Sequence, residues 1–360
     1  MTKIIKEVMT KIKECGFQVY LVGGFVRDYY LGITTNDYDM ATDAKPADLM
    51  KIFSNLESTN YGSVILKYKG AHFEITTFRI EKDYHQNRFP EYIYTNSLEK
   101  DIARRDFTMN AMYMDIDGNI IDLLGGKKDI DNKIVKMVGN PYQKLEEDAL
   151  RILRAIRFAT IYKFKLDENL ACAIKELGYL VSNLSFERKK EELDKIFISN
   201  NLKCGIKLIK DLNLDRYLEL GKLNNIKYVN NLIGIWAQLD VSEKYIFNKN
   251  EKKQIDKIKM YLDKDILNPI NLYDLGLYLA MIIGQIRDIS VKKINEVYEL
   301  LPINSQSDIN ITSLEIINIL NIKPGKIISK IYNDLEINIL NGNLNNNKDD
   351  IINYITKKYK

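Results

Sequence analysis

The run Leu21-Val22-Gly23-Gly24-Phe25-Val26-Arg27-Asp28, with Asn36-Asp37-Tyr38-Asp39-Met40 shortly after it, decides how this chain is read. An apolar segment ends in two glycines and leads into a segment of helical character. Backbone without Cβ atoms admits a ligand closely, and free amides at a helix start favour phosphate. Alternate residues of a strand face the same way, so Asp37 and Asp39 are expected to present two carboxylates to one point. Hard cations such as Mg²⁺ take carboxylate and phosphate oxygens. A phosphate cradle beside a carboxylate pair predicts nucleotide chemistry.

The rest of the chain bounds that reading. Its 360 residues, 46% hydrophobic, are enough for a large core and two or more domains. The net charge of +4, from 53 basic and 49 acidic residues, neither demands nor excludes a nucleic-acid partner. Cys15, Cys172 and Cys204 show no metal-ligand spacing and read as reduced, largely buried thiols of a cytoplasmic protein. The longest apolar run, 275–284, is about half of a membrane span, so no membrane association is expected. Ile4, Ile5, Val8, Met9 and Ile12 recur at helical spacing, which predicts a first amphipathic helix rather than a targeting peptide.

Up to about residue 137 the pattern is mixed α/β, with alternating runs at 17–22, 64–68, 72–78 and 111–115 separated by turn signals. After Pro141 it becomes helical, as in 149–158, and no strand is expected. Gly178, Gly205 and the Pro302 region punctuate successive helices. Pro324-Gly325 opens a helix over Lys326–Leu340, and a polar break at 341–347 precedes a short terminal helix.

Three further clusters carry chemistry. Glu74, in the alternating run Phe73-Glu74-Ile75-Thr76-Thr77-Phe78-Arg79, shares a face with Thr76 and Phe78 and is a candidate neighbour for the Asp pair. Arg104-Arg105-Asp106 suits a triphosphate and a ribose hydroxyl, since Arg binds phosphate through paired N–H groups and Asp accepts from a 2′-OH. In Glu147-Asp148-Ala149-Leu150-Arg151, Asp148 and Arg151 stand three apart on a helix expected to begin at Glu147, and Arg154 and Arg157 continue their row. A carboxylate accepts from the exocyclic amine of cytosine or adenine, and a guanidinium donates to the neighbouring ring nitrogen. Uracil and guanine present the reverse pattern there. Such a pair selects C and A without a template, with Glu147 placed to hold the arginine. Taken singly, each cluster also reads as a turn cap, a solvated surface or an i,i+3 salt bridge.

In their order and spacing these motifs resemble the class II tRNA nucleotidyltransferase and bacterial poly(A) polymerase family. The resemblance rests on Gly23-Gly24-x-Val26-Arg27-Asp28 with Asp37-x-Asp39, Glu74 to Arg79, and Arg104-Arg105-Asp106-Phe107-Thr108-x-Asn110-Ala111. It continues through Glu147-Asp148-x-x-Arg151 with Arg154 and Arg157-Phe158, and Ser185-Phe186-Glu187-Arg188. It implies an α+β fold: a nucleotidyltransferase head with a mixed sheet (1–137), then an all-helical neck (138–200), body (201–280) and tail (281–360).

The implied activity is addition of C, C and A to the 3′ end of tRNA from CTP and ATP, with Mg²⁺ as cofactor. By the same resemblance Asp37, Asp39 and Glu74 are catalytic, the two aspartates holding the metal. Gly23, Gly24, Arg27, Arg104, Arg105, Asp106 and Asn110 bind triphosphate and ribose. Asp148, Arg151, Arg154, Arg157 and Glu147 serve base recognition. Glu187 and Arg188 brace the helix carrying this template. Pro324, Gly325 and Lys326 meet the tRNA backbone.

Segment 80–103 looks like the full flexible loop, whose presence favours addition of the final A. Gln86 stands there where an Asp is usual. The stretch 60–67 lacks the basic-aromatic signature of the poly(A) polymerases. Two histidines, His72 and His85, are too few for the phosphohydrolase domain that some relatives append. The rival readings are a specialist that adds only CC, only A or a poly(A) tail, and a non-catalytic RNA-binding homologue.

Overall fold

The computed structural model describes residues 2–58, 62–85 and 89–360, side chains of 58, 83–85 and 89–90 excepted; Gln86, Asn60 and Tyr61 lie outside the described residues. The chain forms two compact units, Met1–Leu220 and Gly221–Lys360.

The first unit begins with α1 (Lys3–Glu14), capped by Thr2, whose Ile5, Val8, Met9 and Ile12 are buried. Ile4, also expected on that stripe, is only half-buried. A seven-stranded mixed sheet follows. Its members are β1 (Val19–Val22), β2 (Tyr38–Thr42), β3 (Leu56–Ser58), β4 (Ser63–Tyr68), β5 (Ala71–Thr77), β8 (Tyr113–Met114) and β9 (Ile120–Ile121), in the order β3-β4-β5-β2-β1-β8-β9. Strands β2 and β5 are parallel, in a register that sets Asp39 beside Glu74, whereas β1 runs antiparallel to both β2 and β8. The short helices α2 (Gly24–Tyr30), α3 (Pro46–Ile52), α4 (Leu98–Ala103) and α5 (Gly126–Asp131) complete the head. Val22, Ala41, Phe78, Ile102, Ala111 and Tyr113 belong to its buried core.

Segment 80–103 is not a loop in its described parts. Strands β6 (Arg79–His85) and β7 (Phe89–Tyr94) form an antiparallel hairpin that leads to α4. Alternation of β-favouring side chains such as Ile80, Tyr92 and Tyr94 is the local reason.

A helical layer comes next: α6 (Pro141–Glu147), α7 (Leu150–Tyr162), α8 (Glu168–Leu177), α9 (Phe186–Phe197) and α10 (Leu202–Asp211). Contrary to expectation a strand does follow Pro141, since β11 (Lys165–Leu166) pairs in parallel with β10 (Ile134–Val135). Gly205 does not end a helix either. It lies within α10, where a Cβ would come within 2.7 Å of Ile196 Cγ2 and Thr160 Oγ1. Its lack of a side chain permits close helix packing. The cysteines are exposed rather than buried. Cys172 and Cys204 fall outside the stripes Leu170-Ala173-Ile174 and Leu202-Gly205-Ile209 that α8 and α10 bury, and Cys15 follows the last apolar turn of α1.

The second unit is mostly helical. Trp236 packs on Tyr245 and Phe247. The helix Pro269–Arg287 is broken at Gly276, whose φ is +71°. Helix Lys326–Leu340 carries Asp334, which accepts from Tyr354, Lys358 and Tyr359 of the last helix, Lys348–Tyr359. Among the described residues no helix is long and apolar enough to cross a membrane.

Candidate active site

At the middle of the sheet, β2 and β5 border a cleft of about 460 Å³. Asp39, Glu74, Ser63 and Thr76 line it together with Arg79, Arg104, Arg105, Val22 and Met40. Asp37 stands one residue ahead of β2, exposed, with its amide donating to Thr35 Oγ1 at 3.2 Å. Burial, then the charges of Asp37 and Glu74, push the Asp39 carboxyl up to about 6. Glu74 accepts from Ser63 Oγ at 3.1 Å. Phe78 does not share the face of Glu74 and Thr76. It has left β5 and is fully buried in the core.

Gly23 lies close to both an acidic and a basic residue of the cleft, Asp39 and Arg105. Its φ of +64° with ψ of −127° is glycine backbone, and a Cβ there would lie 3.6 Å from both Asp39 Oδ2 and Arg105 Nη1. The unfavourable crowding of carboxylates at Asp39 is the charge distribution a divalent cation relieves. No group of three metal-binding side chains exists among the described residues. Asp39, with the charges of Asp37 and Glu74 acting on it, would suit a hard divalent cation whose remaining oxygens come from phosphate and water. The donor set fits a hard divalent metal.

Arginines 79, 104 and 105 are held from behind. Arg79 and Arg104 pair with Glu81 at 2.7 and 3.2 Å, and Arg104 Nε donates to Asp101 Oδ1 at 2.8 Å. Burial opposes ionisation of Asp101, but Arg104, Arg105 and Tyr113 outweigh it and hold the carboxyl below its ordinary range.

Asp148 and Arg151 do not sit on one helical face. Helix α6 ends at Glu147, Asp148 is extended (φ −145°, ψ 105°), and α7 begins at Leu150. The Asp148 carboxylate accepts from Leu150 N at 3.0 Å, a local bond that competes with helix continuation. Arg188 approaches Asp148 to 3.8 Å. Arg151 donates through Nη1 to Glu147 Oε2 at 2.8 Å and to Lys144 O at 2.7 Å. Arg157 is only 7% exposed and donates to Glu192 at 2.8 Å, so the structure does not bring it to an open face.

Arg27, Asn110 and Asp106 are bonded to one another and to α7 beside the cleft, and the Arg27 charge acts on Asp39. Arg154 Nε donates to Asp106 Oδ2 (2.8 Å), and Asn110 Nδ2 donates to Asp106 Oδ1 (3.2 Å). Arg27 Nη1 donates to Asn110 Oδ1 (2.7 Å) and Arg27 Nε to Asp28 Oδ1 (2.9 Å), which also accepts from Tyr162 Oη (2.8 Å). The Arg27 guanidinium lies over the rings of Phe158 and Tyr162, at 5.2 and 4.8 Å. This chain of bonds starts and ends on α7, two turns apart. In the second unit Pro324, Gly325 and Lys326 are exposed at a helix start with no side-chain cap.

Sequence reasoning passed over Ser63, Asp101, Tyr113 and Glu192. The first two carry a signal only after folding. A tyrosine in the run 111–115 and a glutamate in α9 look like ordinary strand and helix surface residues.

Asp39 and Glu74 in one cleft with clustered arginines, beside the side-chain-free Gly23, define a nucleotidyltransferase-type head. Residues 19–136 match the family "Poly A polymerase head domain", 163–220 "RNA and SrmB- binding site of polymerase A", and 239–355 "tRNA nucleotidyltransferase domain 2". The CCA-adding enzyme of Ligilactobacillus salivarius is 34% identical, over 96% of this chain and 94% of its own. That of Lactococcus lactis subsp. cremoris is 32% identical, over 97% and 95%. The Bacillus stearothermophilus CCA-adding enzyme, solved in complex with CTP, superimposes with a TM-score of 0.88 at 26% identity, over 99% of this chain and 98% of its own. The chain belongs to the CCA-adding enzyme family.

Proposed function

We propose that this protein adds C, C and A to the 3′ end of tRNA, taking CTP and ATP, releasing pyrophosphate and using no nucleic-acid template. The observation that carries this reading is Gly23, with Asp39 and Arg105 on either side of its absent side chain. The triphosphate lies along that turn, its charge met by Arg104 and Arg105. The tRNA 3′ oxygen attacks the α-phosphorus in line, the bond to pyrophosphate breaks, and the hydroxyl proton passes to solvent water. Mg²⁺ held by Asp37 and Asp39 would favour the deprotonated hydroxyl and neutralise the leaving pyrophosphate. Glu74 sustains the negative field at Asp39.

Asp148 and Arg151, with Glu147 fixing the arginine, read the base. Their setting at the α6–α7 break gives the carboxylate an extended backbone, which a helical face would not. Arg154 and Arg157 hold α7 in place for that reading, and Asp106, with Asn110 and Arg27, anchors the ribose side. Gly24 offers its backbone amide to phosphates of the nucleotide, and Gly325 and Lys326, which follow Pro324, offer amides and charge to those of the tRNA arm. The head, 1–137, does the chemistry; the neck, 138–200, selects the nucleotide; the body, 201–280, and tail, 281–360, serve the tRNA. Three cysteines without disulfides suit the reducing cytoplasm.

The test is incorporation on tRNA lacking one, two or three terminal nucleotides, resolved to the single nucleotide. Extension of all three to the same CCA end supports the proposal. Arrest after CC, addition of A alone, or a long A tail replaces it with the corresponding specialist.

A further inference from the structure

The position of Arg105 on the cleft wall is set by two residues that have no exposed surface, Tyr113 on β8 and Asp101 on α4. Arg105 Nε donates to Tyr113 Oη at 2.7 Å, the hydroxyl donates to Asp101 Oδ2, and Arg105 Nη2 reaches that same oxygen at 3.4 Å. The guanidinium also lies over the Tyr113 ring, 4.7 Å from its centroid. An ionised carboxylate only accepts, so the tyrosyl proton points to Asp101 and a lone pair is left for Arg105. The other Asp101 oxygen is occupied by Arg79 N at 3.1 Å and Arg104 Nε at 2.8 Å. One buried carboxylate thus ties together the start of β6, the exit of α4 and β8.

Packing alone does not account for the hydroxyl. Tyr113 sits among Val22, Ala41, Phe78, Ile102 and Ala111, where phenylalanine fills the same space. A hydroxyl buried there is unfavourable unless bonded, and its bonds run to the arginine and its counter-ion. A guanidinium already fixed in place loses little rotamer freedom when an anion arrives, which strengthens binding of that anion.

We infer that Tyr113, braced by Asp101, is a positioning residue that presets Arg105 for the polyphosphate of the incoming nucleotide. The inference rests on reading the cleft as the nucleotide site. Neither residue touches substrate; both act through Arg105.

Tyr113→Phe keeps the ring and deletes the hydroxyl. The expected result is a KM for CTP and for ATP raised about tenfold, with kcat within about twofold and unaltered tRNA affinity. In an Arg105→Ala background the same substitution is expected to change KM by less than about twofold, because the group it positions is gone. An unchanged KM in Tyr113→Phe overturns the inference, and so does an equal rise in both backgrounds. A Tyr113→Phe protein that fails to fold also overturns it, by assigning the hydroxyl to stability. Absence of CTP and ATP incorporation by the unaltered protein is a separate result. It removes the nucleotide-site reading and this inference with it.

Discussion

Arg154 of α7 and Asp106 of the head form a two-pronged pair, with Nε at 2.8 Å and Nη2 at 2.5 Å from one carboxylate oxygen, Oδ2. The other oxygen accepts from Phe107 N at 2.8 Å and from Asn110 at 3.2 Å. The helix that follows Asp148 and carries Arg151 is therefore fastened to the Arg-Arg-Asp motif. Removing one partner of a buried pair strands the other's charge. The Arg154 side chain keeps 32% of its surface, so Arg154→Ala is expected to cost ~2 kcal/mol rather than the full buried penalty. Urea denaturation of the two proteins checks this.

The same pair predicts an acid limb. Burial opposes ionisation of Asp106, but Arg154 and Asn110 overcome it and lower the carboxyl from an ordinary 3.8 to about 2. The fold then favours the ionised form. The contribution is complete above about pH 4 and is lost as pH falls toward 2, amounting to ~2 kcal/mol. Asp106→Asn is expected to be less stable at pH 6 and to lose less between pH 4 and pH 2. Denaturation midpoints across that range measure it.

Asp37→Ala and Asp39→Ala are each expected to abolish incorporation while tRNA binding persists. Chelation of divalent metal should have the same effect on the unaltered protein, reversed by added Mg²⁺. Filter binding of tRNA beside a CTP incorporation assay separates chemistry from binding. Substantial activity in the double variant would end the assignment of the carboxylates.

Gly23→Ala places a methyl 3.6 Å from Asp39 Oδ2 and Arg105 Nη1, on backbone that side chains avoid. The conformational cost is more than ~1 kcal/mol. The methyl also occupies the turn where the triphosphate is proposed to lie. A rise in KM for both CTP and ATP of at least about tenfold is expected, larger than the accompanying fall in melting temperature explains. Steady-state kinetics and a thermal melt on one preparation decide it.

Asp148→Ala and Arg151→Ala are expected to relax the choice of nucleotide more than they harm folding, with UTP and GTP incorporation rising relative to CTP and ATP. Each lost hydrogen-bonding partner for the base is worth ~1–3 kcal/mol of discrimination. Competition assays with all four triphosphates report it directly. Strict C and A selection at near-normal rates in both variants would show that the base is read elsewhere.

Much of this site was legible before folding was considered. Asp37 and Asp39 are two apart, Gly23 and Gly24 are adjacent, and Arg104 to Asp106 are consecutive, so spacing and residue type group them along the chain, while the fold leaves Asp37 exposed one residue ahead of β2 and brings Asp39, Arg104 and Arg105 to the cleft. The same local reasoning failed at Asp148. The 3.6-residue period does not run across the break at Asp148, whose carboxylate accepts from Leu150 N. Asp101, Tyr113 and Glu192 left no local trace, because a buried polar residue resembles a surface one until its partner is known. Glu192 meets Arg157 across 35 positions, and Asp28 meets Tyr162 across 134.

By itself, then, the sequence determined the carboxylate pair, the glycine turn and the chemistry they suit, since these depend on neighbours along the chain. Only the tertiary structure decided where Gly23 stands, with the acidic strand β2 on one side and Arg105 on the other. The parallel register of β2 with β5 and the buried Asp101–Tyr113 brace are contacts between distant segments. Their energies come from burial and from charge pairing out of water, and neither exists until the sheet has closed.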